Sequence, residues 1–486
     1  VERLFNRISN HQWRWLLLLA LALITLGSVW FALRLRINLL FAVPLIVVAG
    51  LQVIYNYKPV FYLLFFSIPG SLQVELGGGL SMDVLSEPLM LVLLTVFLFN
   101  LFSGNQFSLK KKVRPFHIMI ALLLFWTLFT SLTSEFPVRS FKYLLAKIWY
   151  LAAFIYTAEK IVTSPEEVKR VFWMFFIPLS LIALGVIIRH ASFGFSFEVA
   201  NGMAFPLYFN GVIYAATLVL FIPWAWYART WYSPRSLQWY LIIIGLGIIV
   251  VSTVLTYKRG AWLALILLPI VTFLIRWNIF DKFVYAVVVI GILALGYLIQ
   301  DNRFYAFAPD YKKTIWHEGD ISGHLSATFS GTEISSMERF FRWVAAKNMI
   351  ADMPVLGSGP STFNQVYQRY TDDAFRTYVS DNPEQSTTHN YYLMTFAEQG
   401  FPGGLLFIVL CLYMVLKAAR LQGQIDDPVR RSILMLALLS LITILFHSIL
   451  NEMIEVDKIG SMFWFDLFLI HQSEVWHEKS LQAGNA

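Results

Sequence analysis

Charge is scarce in this sequence. Asp, Glu, Lys and Arg make up 14% of its 486 residues, against about 25% in a soluble chain. Apolar residues fill the difference, at 58% of the total, and the mean hydropathy is +0.63. This excludes a soluble globular domain and calls for a polytopic membrane protein. Cysteine is nearly absent. Cys411 stands alone within an apolar run, so an intrachain disulfide is excluded and a small buried hydrophobe is expected. The sequence has no Cys/His zinc spacing and no carboxylate cluster of magnesium or calcium spacing around the acidic pair Asp372–Asp373. It also lacks a glycine loop of the G-x-x-x-x-G-K-[ST] kind. No bound metal, no cofactor and no ATP-driven chemistry are therefore expected. Internal repeats and low-complexity tracts are missing as well. The net charge of +7 needs no nucleic-acid partner, because lysines and arginines kept on the cytoplasmic side explain it. The glycine-rich tract VELGGGLSMD, residues 74–83, reads as a flexible outer loop.

What is present is a series of long apolar runs. A helix needs roughly 20 apolar residues to cross a bilayer. Candidate spans fall near 15–33, 37–55, 59–70, 86–103, 116–132, 142–157, 171–189, 211–228, 238–256, 260–276, 282–299, 389–416, 432–449 and 460–472, which gives 12 to 14 spans because some are short. The first, RWLLLLALALITLGSVWFAL, is long enough to span and carries no cleavage-site pattern. With the N-terminus inside, the inner segments hold 20 lysines and arginines and the short outer loops hold 7. That bias places both termini in the cytoplasm. The expected fold is an all-α polytopic membrane protein in three parts: transmembrane helices over 1–299, a large outer helical loop over 300–388, and C-terminal transmembrane helices over 389–486.

The unusual residues gather on the outer side. Lys258 and Arg259, in TYKRGAWLAL, form a tight outer turn with no acidic residue within ten positions. Cations without a counter-ion suggest an anionic ligand, and the planar arginine fork suits phosphate. A lone arginine at a helix end more often simply snorkels to the interface. Arg339 and Arg342 lie three apart and share one face of a helix expected from Ser335, which with Glu338 forms a capping box. Phe340, Phe341, Trp343, Val344 and Ile350 give that helix an apolar side, and Pro354, Gly357 and Gly359 end it. His389 and Asn390 stand where the outer loop re-enters the membrane, ahead of a glycine-proline break from Gly400 to Gly404. An imidazole there can take a proton from a hydroxyl nucleophile, or can simply cap the helix. Arg139, on another outer loop, is a further candidate for contact with an anionic substrate. Lys147, Glu398, His447 and Asp466 are polar residues inside expected spans, where charge is costly and often functional.

Taken together, TYKRGAWLAL, SMERFFRWVAAKNMIADMPVLGSGPSTF and HNYYLMTFAEQGFPGG resemble the bacterial O-antigen ligase and polymerase superfamily. The likeness covers mainly residues 250–450. It rests on an arginine at the outer end of a span (Arg259) and an arginine four residues before a tryptophan (Arg339, Trp343). A Pro-Leu-Gly-x-Gly-like turn follows, departing here to Pro354-Val355-Leu356-Gly357, and then a His-Asn-x-x-Leu helix entry at His389 to Leu393. The resemblance implies a fold of the C-type glycosyltransferase kind in the bacterial inner membrane, with the active site facing the periplasm. It implies metal-independent, inverting transfer of a glycan from undecaprenyl diphosphate to an acceptor hydroxyl. His389, Arg259 and Arg339 would be catalytic, and Lys258, Arg342, Asn390 and Arg139 would bind substrate. The implied partners are the lipid-linked glycan donor, lipid A-core or another glycan as acceptor, and membrane lipids. Ligase is favoured over polymerase because Arg189, Arg339, Arg342, Arg369 and Arg376 all lack a glycine sixteen residues on, the Arg-x15-Gly spacing of related polymerases, although Arg303 with Gly319 has it. Protein O-oligosaccharyltransferase is a further alternative. A polysaccharide transporter is the alternative from a different class, but it would place charged groups near the midplane.

Overall fold

The computed structural model describes residues 56–77, 80–102, 114–308, 334–377, 380 and 387–484, with a few scattered positions before residue 35. Eight of its helices are long and apolar enough to cross a membrane. With residue ranges as follows, these are α3 (Pro115–Leu132), α6 (Pro165–Ala191), α7 (Gly211–Ala228), α8 (Leu237–Leu255), α9 (Arg259–Arg276), α10 (Phe280–Ile299), α13 (Tyr391–Leu421) and α14 (Pro428–His447). The protein is therefore a polytopic membrane protein, almost entirely helical.

Eight is fewer than the 12 to 14 spans expected. The stretches 15–33 and 37–55 lie outside the described residues. The other four do form helices. α1 (Lys58–Ser67) has ten residues, about 15 Å at ~1.5 Å per residue, and is too short to cross. α2 (Ser86–Phe102) has 17 residues. α4 (Pro137–Leu151) continues through a π-helical stretch, Ala152–Thr157, into α5 (Ala158–Ile161), and it carries Arg139, Lys142 and Lys147. α15 (Asp457–Gly484) is long but carries charge at both ends. Its middle is nonetheless walled in by protein: Ile459, Met462, Phe463, Phe465, Leu467, Phe468, Leu469 and Ile470 are all at most 1% exposed. Around it, Phe221 stacks on Trp224 and Trp224 on Phe465, at centroid separations of 5.7 and 6.0 Å. A central helix needs no apolarity on every face when other helices cover it.

Residues 74–77 and 80–83 form strands, which corrects the flexible-loop expectation for them. β1 (Leu72–Gly77) pairs antiparallel with β2 (Leu80–Val84), with Leu72 opposite Val84 and Gln73 opposite Asp83. The alternation L-Q-V-E on one side and S-M-D-V on the other has the period of two that a strand requires. Within the outer segment, α11 (Ile334–Asp352) forms as expected, and Glu338 has partners beyond the helix start. It accepts hydrogen bonds from Thr377 and from Ser380 Oγ at 2.7 Å and pairs with Arg342 at 3.2 Å.

The helices run between two ends of the molecule. α3 starts with His117 and finishes beside Ser134, which meets Ser358 of the outer segment. α13 starts beside the same segment and finishes with Lys417 bonded to Glu474 of α15. One end therefore holds His389 and α11, and the opposite end holds His117, Lys417 and Glu474.

Candidate active site

Two sequence breaks interlock to build the scaffold of the site. α13 is interrupted at Gly400 (φ 65°, ψ −174°), a conformation open essentially to glycine alone. Into this break docks the turn that follows α11. Phe401 N donates to Pro354 O at 2.7 Å, Ser358 N to Ala397 O at 3.1 Å and Gly359 N to Glu398 O at 2.8 Å. The backbones approach so closely that a Cβ on Gly400 would lie 2.0 Å from Val355 O, and one on Gly357 would lie 2.3 Å from the Glu398 carbonyl carbon. The buried Glu398 carboxylate completes the joint by accepting from Ser361 N at 2.8 Å and Phe363 N at 2.9 Å. The turn and the glycine-proline break are thus two halves of one backbone joint, which pins α11 to the start of α13.

That joint determines where His389 stands. Trp343 of α11 donates its indole N–H to Thr388 O at 3.0 Å, and Tyr391 N donates to Ser448 O at 2.9 Å beyond the end of α14. Asn390 caps α13: its side-chain oxygen accepts from Leu393 N at 3.0 Å. Between these fixed neighbours His389 adopts a left-handed backbone (φ 51°). Such a conformation is uncommon for a non-glycine residue and is held only where the surroundings enforce it. The imidazole keeps 31% of its side-chain surface open.

The charges of Arg342 and Arg339 reach this histidine, and beside it stands a residue that the sequence analysis did not single out. Glu452 Oε2 lies 3.9 Å from His389 Nδ1, beyond direct hydrogen-bond distance. Its other oxygen accepts from Thr387. Asn451 hydrogen-bonds to the His389 side chain. All these groups lie in loops outside the spanning helices or on α11. Burial, then the charges of Arg342 and Arg339, hold the His389 imidazole down at about 4. Burial raises the Glu452 carboxyl to about 7, against the pull of backbone N–H groups and the same two arginines. At neutral pH the histidine is therefore neutral and the glutamate is poised between its two forms. Titratable groups pushed apart in this way, beside a partly exposed imidazole that feels two arginine charges, mark a candidate reaction site.

The other expected site residues are distributed less evenly. Arg259 begins α9, and the next residue packs on the same loop: a Cβ at Gly260 would stand 3.3 Å from Leu450, which directly precedes Asn451. Lys258 runs alongside Gly211, where a Cβ would come within 3.2 Å of its Cε, and burial followed by the Arg259 charge lowers its pKa. Arg139 lies exposed on α4. There it bonds Gln365, whose amide oxygen, once turned to satisfy both side chains, accepts from Nη1 at 2.7 Å. The charges of Arg342 and Arg339 thus reach His389 and the residue after Arg259 packs on Leu450, while Lys258 lies against Gly211, Arg139 bonds Gln365 and Asn390 acts as a helix cap.

A second polar group adjoins the first. Lys147 Nζ reaches Tyr143 OH at 2.6 Å, Tyr391 OH at 3.2 Å and Glu455 Oε1 at 3.3 Å. Tyr391 and Tyr143 also donate to Glu455, at 2.6 and 2.9 Å. The sequence signal for Glu452 and Glu455 was the acidic run NEMIEVD directly after a span. Glu455 pairs with Lys147, and Glu452 feels the charges of Arg342 and Arg339. Of the remaining polar residues in expected spans, His447 bonds back to Thr443 O at 2.9 Å, and Asp466 is fully buried beside Ser440 and Trp224.

Comparison with known proteins bears on this same region. The family described as O-Antigen ligase matches residues 244–408. The matched stretch contains Arg259, Arg339, Arg342, Trp343, His389 and the Gly400 joint, and it stops short of Glu452. No curated protein matches the chain. The protein is a polytopic membrane protein that carries an O-antigen ligase-like domain over part of its length.

Proposed function

We propose that this protein is an inner-membrane glycosyltransferase. It transfers a glycan from undecaprenyl diphosphate to an acceptor hydroxyl at the periplasmic face, with lipid A-core as the acceptor. The observation that carries this reading is the convergence of Arg339 and Arg342 on the partly open His389 within the matched stretch. The acceptor oxygen attacks the anomeric carbon as the bond from that carbon to the phosphate oxygen breaks. The diphosphate leaves with the bonding electron pair, and the acceptor proton passes to His389. A displacement from the opposite face inverts the anomeric configuration.

The charge develops on the leaving diphosphate. Fixed guanidinium groups at a partly desolvated site stabilise it, an effect worth about 3–4 kcal/mol per donor in comparable sites. Arg339 and Arg342 meet it from α11 and Arg259 from the start of α9, so the cations do the work that a metal ion does in other enzymes. The bound diphosphate also offsets the two arginine charges that hold the imidazole down. His389 then becomes a stronger base in the loaded site than in the free one. Asn451 orients its ring.

The test is genetic and biochemical. Deletion of the gene should leave lipid-linked polymer accumulated and lipopolysaccharide without its polymer. Full-length protein in detergent should rebuild the linkage from lipid-linked glycan and lipid A-core acceptor. Lipopolysaccharide carrying a single repeat unit in the deletion strain would instead assign polymerisation. Unchanged envelope glycans, with no transfer in vitro, would overturn the reading.

A further inference from the structure

The opposite end of the molecule carries a second cluster, independent of the glycosyl-transfer reading. His117 stands at the start of α3, Glu159 on α5 and His471 just past the middle of α15. Their ligand atoms all lie within 4.8 Å of one another. Glu159 Oε1 sits between the two imidazoles, 2.7 Å from His117 Nε2 and 3.9 Å from His471 Nε2. We propose that these three side chains form a binding site for a divalent transition-metal ion of the zinc type.

The donor set suits that ion. Two imidazoles and one carboxylate form a known zinc triad, with the fourth position open to water. A tetrahedral ion with ligands at about 2.0–2.1 Å needs donor atoms roughly 3.3 Å apart. The 2.7 Å contact must open and the 3.9 Å contact must close, each by about 0.6 Å, which side-chain rotation supplies. The buried ring is already held in place. Phe116 stacks on His471 at 4.7 Å and 19°, and His117 meets it edge-on at 4.8 Å. The His471 side chain is 3% exposed and His117 is 40% exposed, so an ion and its water can enter from the His117 side.

The surroundings accept a cation. His471 Nδ1 is buried without a hydrogen-bond partner, and Glu474 Oε2 lies 3.8 Å from it. Ligation through Nε2 would fix the proton on Nδ1 and draw it towards that carboxylate, the usual outer support of a metal-bound histidine. The cations nearby are already matched. Arg114 pairs with Glu474 at 3.1 Å and Glu478 at 2.8 Å, and Lys417 pairs with Glu474 at 2.5 Å. Lys160 turns onto the Tyr156 ring. Glu159, Glu474 and Glu478 against Arg114 and Lys417 leave one negative charge, three minus two. An ion here would tie together α3, α5 and α15, which are remote in sequence.

The experiment uses full-length protein in detergent, stripped of metal and titrated with cobalt(II) as a spectroscopic stand-in. Wild type should take up one equivalent with tetrahedral visible absorption, zinc should displace it, and zinc should raise Tm. His117→Gln, at the exposed ligand, and Glu159→Gln should each weaken uptake by about 10–100-fold or more. If His471→Gln fails to fold, the His117 and Glu159 variants decide the matter. No absorption with wild type in excess cobalt, or equal uptake by both variants, would overturn the site.

Discussion

At the scale of the residue, the question is what His389 does. As the proton acceptor its loss should lower turnover by about 10²–10⁴-fold. Donor binding should change little in His389→Ala, because the arginines hold the diphosphate. His389→Gln keeps a hydrogen-bonding group but cannot accept the proton. It should match the alanine variant if proton removal limits the rate, and retain partial activity if orientation suffices. Full activity of both variants would remove His389 from the mechanism. The pH profile gives a second handle. In the free protein the imidazole is held at about 4, so kcat/KM should fall on the acid side only near that value. Bound diphosphate cancels part of the arginine field and raises the imidazole pKa, so the acid limb of kcat should lie at higher pH. Coincident limbs would show that the donor does not neutralise Arg339 and Arg342. Glu452, at about 7, could also produce a limb. Glu452→Gln should leave both limbs in place if the histidine sets them. Arg259→Lys should recover only part of the activity, since a point charge does not replace a planar two-point donor. Complete recovery would reduce Arg259 to a general positive charge.

At the scale of the element, the joint between the turn at 354–363 and the broken α13 governs the position of His389. Gly400→Ala combines a backbone conformation that costs a side chain about 1–3 kcal/mol with a Cβ 2.0 Å from Val355 O. It should lower Tm markedly and abolish transfer. Gly247→Ala is the control. It lies inside α8 with nothing within 4 Å of the new Cβ, and should be neutral or slightly stabilising by thermal unfolding in detergent. Equal Tm for the two variants would mean that the joint can open without cost. Trp343→Phe keeps the ring but loses the bond to Thr388 O, worth about 1 kcal/mol. It should slow turnover more than it lowers Tm, because the lost contact orients the histidine loop. An unchanged rate would show that the joint alone sets that loop.

At the scale of the whole molecule, the open matter is orientation. The 20-to-7 distribution of basic residues predicts that residues 300–388 are periplasmic. Cys411 is buried, so a cysteine introduced at Ser322 gives an unambiguous label. An impermeant reagent should reach it in intact spheroplasts. Protection there, with labelling only after lysis, would invert the topology and put the arginine site on the cytoplasmic face. It would also bring the His117–Glu159–His471 group to the outside, since the two clusters lie at opposite ends of α3 and α13.

The sequence by itself determined the class of the protein and the parts of its outer site. Long apolar runs with little charge leave no alternative to the membrane, because each unpaired charge in lipid costs several kcal/mol. Arg339, Arg342 and His389 were legible because cations and an imidazole stand out against an apolar background, and the turn and helix-break motifs around them are local. Their convergence was not legible. Glu452 is 63 positions beyond His389 and joins it only because the end of α14 returns to the start of α13. The strand pairing of 72–84 was masked by glycines that suggest flexibility. The apolar runs alone did not settle the span count, because such a run shows neither that α1 stops short nor that α15 is covered by protein instead of lipid. Glu398 and Lys147, conspicuous as charges in apolar stretches, turned out to be bonded within the protein, to a backbone turn and to Glu455. Only the tertiary structure decided those partners, because helices crossing a membrane bring residues together by their depth and facing side, and neither can be read from distance along the chain.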